Sequence, residues 1–388
     1  MKKLSTPILA SLLATSAFAL DIAEDITITG TNDPINFIAP NVTLTITGEL
    51  YSSGYSPSVN FDKDYVYSAG DKVTLNLEEG ATFEINDASG GLFGNFSNSS
   101  SKADIYITGK GSVNSTLNTI VTANNKSKLF LDASTSFVNA TYKIGQSAAT
   151  NLTLTNTLQT KVLVLERSST LTMDADADSS AKIDISGYKF DILGTLVQKS
   201  GKINLKNGTA VVKGTLDLSV ENGLQAKYFT AYTGSTIIIR AKNAIMKDDS
   251  VYSNIQIAAS QSTTLKLYAD QQFDGLDLQQ GTLNAYTNGN ELTFAKISSA
   301  GTLNIFIEDG YNWENNKIHF TNAVAESVLE ILSTIQIGDT VVDESFWDIV
   351  SDGANGVYVN LTTVPEPAEW AMIFGVVAIA FVAYCRRK

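Results

Sequence analysis

One cysteine, one histidine and six prolines are few for 388 residues, and each shortage removes a class of function. A single thiol, Cys385, forbids an internal disulfide framework and any thiolate metal cluster. A single imidazole, His319, removes most histidine-based catalytic arrangements. Its neighbours in Lys317-Ile318-His319-Phe320 alternate as in a strand and offer it no orienting carboxylate, so it reads as a satisfied strand histidine. Cations are short as well, with 27 Lys and Arg against 40 Asp and Glu. Five of the 27 lie in terminal segments described below; the 22 that remain leave the exported portion near a net charge of −18. Phosphate binding needs clustered Lys and Arg, so nucleic acid is excluded as a partner. The acidic surplus keeps the chain soluble and attracts cations.

Amphipathic helices of ordinary length are also missing from the body of the chain, where 323–332 is the one stretch of mixed helical character. What fills residues 20–361 is period-two alternation of aliphatic with polar residues. Examples are Val73-Thr74-Leu75-Asn76-Leu77, Leu152-Thr153-Leu154, Leu216-Asp217-Leu218 and Leu303-Asn304-Ile305-Phe306-Ile307. This is the signal of half-buried strands. Turns fall at Asn207-Gly208, Asn222-Gly223, Asn288-Gly289 and Asp309-Gly310, pairs that accept positive φ. The fold class is all-β. Strand onsets at Ile105, Leu129 and Leu152 recur at an even interval, the length of one coil in a repeating solenoid. At roughly 22 residues per coil the body predicts some 15 coils and a rod of about 75 Å. Gly194-Thr195-Leu196, Gly214-Thr215-Leu216, Gly281-Thr282-Leu283 and Gly301-Thr302-Leu303 recur at similar spacing as coil starts. The pattern resembles the passenger regions of bacterial surface proteins, including right-handed parallel β-helices of the autotransporter type, without a terminal membrane barrel. Tandem β-sandwiches are the alternative, and would need hairpin turns every 8–12 residues. Residues 20–29 and 335–361 are the segments available to cover the two ends.

Both termini carry targeting features. Residues 1–19 have a basic start (Lys2, Lys3), a short apolar stretch and small residues Ala17 and Ala19 at −3 and −1 of a signal-peptidase site. At the other end Pro365-Glu366-Pro367 leads to Trp370, an uncharged apolar run over 371–385, and Arg386-Arg387-Lys388. A helix over 370–385 spans about 24 Å, and one begun at Pro367 about 28 Å, against a hydrocarbon core of roughly 30 Å. Pro367 suits the first helical position, Glu366 and Glu369 suit the helix N-terminus, and the basic tail 386–388 places that end in the cytoplasm. The reading is a transmembrane helix over 367–385. The segment 362–388 resembles the PEP-CTERM sorting signal of Gram-negative bacteria. That resemblance implies recognition of Pro365, Glu366, Pro367 and Trp370 by exosortase, a membrane-embedded transpeptidase, with Arg386, Arg387 and Lys388 as the retention tail. It implies a transient anchor followed by delivery to the cell surface; a plain uncleaved anchor has the same layout.

Candidate chemistry is sparse. Asp174, Asp176 and Asp178 would share one face of a strand and attract a cation, but Ser179 and Ile185 stand where a Ca²⁺ loop of the EF-hand kind needs Gly and Glu. A solvated turn is the preferred reading, with weak Ca²⁺ binding as its competitor, and no other cofactor is expected. No residue is assigned a catalytic role. The expectation is an exported structural or adhesive protein of the cell surface or extracellular matrix, with extracellular polysaccharide or other surface proteins as partners. The alternative is a polysaccharide-degrading enzyme using carboxylates such as Asp62 with Asp64, or Asp248 with Asp249, on a β-helix scaffold.

Overall fold

A computed structural model describes residues 20–31, 35–52, 59–61, 67–68, 70–85, 103–122, 128–145, 150–174, 182–311, 317–344 and 347–361. The chain coils into a β-solenoid of about 11 turns. One face is a 15-stranded sheet running from Ile26–Ile28 to Thr340–Val341. In it each strand up to Leu332–Ile337 pairs in parallel with the strand one turn later. Ile105, Leu129, Leu152, Leu171, Leu196, Leu216, Ile237 and Leu265 therefore stand in a single column, and all are buried. The alternation seen in the sequence explains this directly: one apolar set faces inward and the intervening polar set faces water, and a shift of one residue would exchange them.

The other strands form two further faces. In the middle turns these faces are fused into long strands, Ser134–Ile144, Leu158–Leu165 and Lys182–Ile192. Register shifts between Phe137 and Thr141 and between Thr160 and Val162 mark the corner. Farther on they separate, as in Leu224–Gln225 and Tyr228–Ala231. Buried aromatic residues fill the interior, with Phe273, Phe294 and Phe320 stacked on successive turns. The parallel ladder excludes the tandem-sandwich alternative.

Three expectations need correction. Ile26 pairs with Leu44 but Lys72 with Asp104, so turn length varies, several early turns exceed the expected coil, and the number of turns falls to about 11. At about 4.8 Å between stacked strands the long sheet measures about 60 Å along the coil, shorter than the expected rod. The stretch of mixed helical character does hold a helix, Ala325–Leu329, with Val328 buried. Residues 20–29 are not a lid: Ile26–Ile28 is already the first strand of the long sheet, and Leu20–Ile22 pairs in parallel with Ile35–Phe37.

At the C-terminal end the pairing reverses. Val357–Leu361 lies antiparallel to Lys317–Phe320 and to Trp347–Ser351, and Thr340–Val341 folds back on Leu332–Ile337. Reversal interrupts the parallel stack whose open edge would otherwise accept another chain.

Turn asparagines do double duty. Asn41, Asn243 and Asn288 adopt positive φ of 58°, 46° and 50°, a region asparagine tolerates better than most residues. Each side-chain oxygen then accepts a backbone N–H from the next turn, from Lys72, Gln272 and Glu308 respectively. Asn222 takes positive φ as expected, but at Asn207-Gly208 the left-handed residue is Lys206 instead.

Candidate functional site

Four polar residues on successive turns, Thr230, Gln256, Asp277 and Ser299, are paired strand to strand, the last pair after a register shift between Leu276 and Asp277. Their side chains form a relay. The Thr230 hydroxyl donates to Gln256 Oε1 at 3.1 Å, Gln256 Nε2 donates to Asp277 Oδ2 at 3.0 Å, and the Ser299 hydroxyl donates to Asp277 Oδ1. Gln279 closes the relay: its Nε2 donates to Asp277 at 3.1 Å and its backbone N–H donates to Ser299 Oγ at 2.7 Å. Beside this relay lies a groove of about 470 Å³ lined by Thr230, Tyr232, Gln256, Ala258, Ala259, Gln261 and Gln279. The backbone at its rim is unusual, because Ser260 and the consecutive Gln279 and Gln280 all take positive φ, at 57°, 47° and 61°. Such conformations cost on the order of 1 kcal/mol each for residues other than glycine.

Burial pushes the Asp277 carboxyl upward, but hydrogen bonds from Ser299, Gln256 and Gln279 outweigh it, and the net shift is downward from 3.8. A carboxyl depressed on folding stabilises the fold fully above its unfolded value and loses that contribution as the pH falls through its folded one. Acid titration below about pH 4 is therefore expected to open the relay. Amide resonances of Gln279 and Ser299 should shift together in that range. In an Asp277→Asn variant they should not follow the same curve.

The residues singled out in the sequence fall in three groups. Asp174 forms an ion pair with Lys199 at 2.6 Å, one turn along the long sheet, while Asp176 and Asp178 lie outside the described residues. No group of three or more His, Cys, Asp and Glu that would hold a metal occurs among the described residues. Asp248 caps its own turn by accepting the backbone N–H groups of Ser250 and Val251, and Asp249 accepts from Asn222, Gln225 and Lys202. Asp62 and Asp64 lie outside the described residues. So do Ala17, Ala19, Pro365, Glu366, Pro367, Trp370, Cys385, Arg386, Arg387 and Lys388. Among the described residues no helix is long and apolar enough to cross a membrane.

His319 is a satisfied histidine of the strand Lys317–Phe320, as its alternating neighbours suggest, but its partners are not among those neighbours. It is not without a carboxylate: its Nε2 lies 3.1 Å from Asp352, its Nδ1 lies 3.9 Å from Glu291, and its ring stacks on Tyr358 at 4.0 Å. Asp352 also accepts the backbone N–H groups of Ala354 and Gly356, and His319 foremost, then these two, hold its carboxyl below the ordinary range. The cluster ties the terminal antiparallel hairpin to the last parallel turn. Glu291 comes from the preceding turn and Asp352 from the hairpin, so the residues beside His319 in sequence carry no sign of either.

On the long sheet, acids and bases of different turns pair with each other. Arg240 grips Asp217 through two nitrogens at 2.7 and 2.9 Å and lies over the Tyr268 ring. Lys266 reaches Glu308 at 2.7 Å and lies over Tyr286, which stacks on Phe306. These contacts bind turn to turn and consume the charged groups that carry them. No family model matches the chain, and neither does any curated protein or solved structure.

Proposed function

We propose that the chain is an exported structural or adhesive protein of the cell surface or extracellular matrix, sorted through its C-terminal segment by an exosortase. The observation that carries the reading is the order Pro365-Glu366-Pro367, Trp370, apolar run, Arg386-Arg387-Lys388 at one end, with a signal-peptide pattern at the other. In this reading the body is a right-handed coil, residues 367–385 cross the inner membrane, and the solenoid faces outward during transit. The β-solenoid supports it: a rod whose turns lend each other stability needs no disulfides, in keeping with a chain whose one cysteine lies in the tail. An elongated surface also suits many weak contacts acting together. The enzyme alternative asks for carboxylates free to act on substrate, whereas Asp174, Asp217 and Glu308 are each engaged by a cation of another turn.

The test is fractionation in a host that contains an exosortase. Mass spectrometry of the surface and medium fractions should find chains lacking the segment after Pro365. Replacing Arg386, Arg387 and Lys388 together by alanine should reduce the extracellular form at least about tenfold, since the positive-inside signal is gone. Accumulation of uncleaved chains in the inner membrane with exosortase present would overturn the reading.

A further inference from the structure

We infer that the groove beside Asp277 is a binding site for uncharged pyranose units of a polysaccharide, an inference that rests on the surface role proposed above and gives it a ligand class. The lining is the first argument. Gln256, Gln261 and Gln279 supply amides, each able to donate and accept, Thr230 supplies a hydroxyl, and Tyr232 supplies an aromatic ring. Adjacent hydroxyls of a sugar ring both donate and accept, and its C–H face packs against aromatic rings. Ala258 and Ala259 leave room where longer side chains would fill the groove. A volume of about 470 Å³ falls within the usual range for small-molecule sites.

Charge is the second argument. The chain as a whole is strongly acidic, yet no residue lining this groove is charged. The carboxylate behind it, Asp277, is engaged by Ser299, Gln256 and Gln279. Lys213 lies 4.6 Å from the centre of the Tyr232 ring and is not part of the lining. The groove offers an anionic sugar no cation other than Lys213 over the Tyr232 ring, and offers a cationic ligand no free carboxylate.

Preorganisation is the third. Gln256 and Gln279 are held by the relay, so ordering them is largely complete before a ligand arrives. Two consecutive left-handed glutamines, Gln279 and Gln280 at φ of 47° and 61°, are a local cost to the backbone. The strain falls on the segment that aims Gln279 into the groove.

The purified mature chain should be titrated with cellotetraose and maltotetraose as neutral probes and with tetragalacturonate as the anionic one, using saturation-transfer NMR and calorimetry. At least one neutral probe should bind, and tetragalacturonate should bind at least tenfold more weakly. Tyr232→Ala should weaken the neutral probe at least tenfold. Gln261→Ala serves as the second variant, because its side-chain hydrogen bonds are long, both 3.4 Å, and its loss leaves the turns intact; it should weaken binding severalfold with an unchanged melting curve. Binding that survives both substitutions unchanged, preference for tetragalacturonate, or no binding of either neutral probe would overturn the inference. Because binding is read on purified protein and sorting on cell fractions, failure of one leaves the other standing.

Discussion

Replacing Phe294 with alanine is expected to cost about 4 kcal/mol of stability, the range for a fully buried aromatic truncated to a methyl group. Phe294 has no exposed surface and its ring lies between Phe273, at 5.9 Å, and Phe320, at 5.5 Å. The strands that carry these three rings pair in register, so the backbone ladder holds the walls of the void apart and limits its collapse. The loss should be directional. Phe320 belongs to the strand that receives the antiparallel hairpin, with Phe320 paired to Val357. Hydrogen exchange should therefore rise first across 317–361, while amides of the middle turns between Leu152 and Leu218 stay protected, because each turn is coupled chiefly to its neighbours. Uniform loss of protection along the whole rod would show that the turns unfold as one unit. Phe294→Leu should cost roughly a third as much, since most of the volume is kept.

Gly214→Ala is expected to destabilise by about 3 kcal/mol, at the upper end of overpacking effects, although it adds a single methyl group. A Cβ at this position would overlap the carbonyl oxygen of Gly194 one turn earlier and come within 2.6 Å of the Leu193 oxygen. The Gly194 oxygen is also the acceptor for the Thr215 N–H, at 2.9 Å. The methyl group therefore competes directly with a bond that joins two turns. The same geometry recurs at Gly301, where a Cβ would lie 2.7 Å from the Gly281 oxygen and Thr302 donates to that oxygen at 2.8 Å. Gly234→Ala is the informative control: nothing lies within 4 Å of its would-be Cβ, but its φ is +77°, so only the backbone conformation is penalised, by about 1 kcal/mol. Denaturant midpoints of the two variants should separate by an amount that reflects this difference. Equal shifts would mean that the glycine stack is not what holds the turns in contact.

The Gly-Thr-Leu repeats illustrate how far local pattern reaches. Their period and the inward leucine are legible, because alternation and turn chemistry are properties of a few consecutive residues. That the glycine is needed for contact with the neighbouring turn is not, since the clashing oxygen at Gly214 belongs to Gly194 on the turn before. The coil number departs from expectation for a related reason. The regular middle of the chain predicts a uniform coil, whereas Val42 pairs with Val73 and Lys72 with Asp104, both longer steps. His319 shows the limit most plainly: that it is a satisfied strand histidine is legible, while its partners Glu291, Asp352 and Tyr358, which come from another turn and from the closing hairpin, are not. The groove has no local signature at all, because Thr230, Gln256, Asp277 and Ser299 each sit on a different turn and mean something only once stacked.

Strand class and the inward and outward faces follow from the order of residues alone, because each depends on side chains within a few positions of one another. Register between turns, the uncharged groove, the acid–base pairs of the long sheet and the closing hairpin belong to the tertiary structure. They require groups a full turn or more apart along the chain to meet within a hydrogen bond's length, and in a solenoid the length of each intervening turn decides which groups those are.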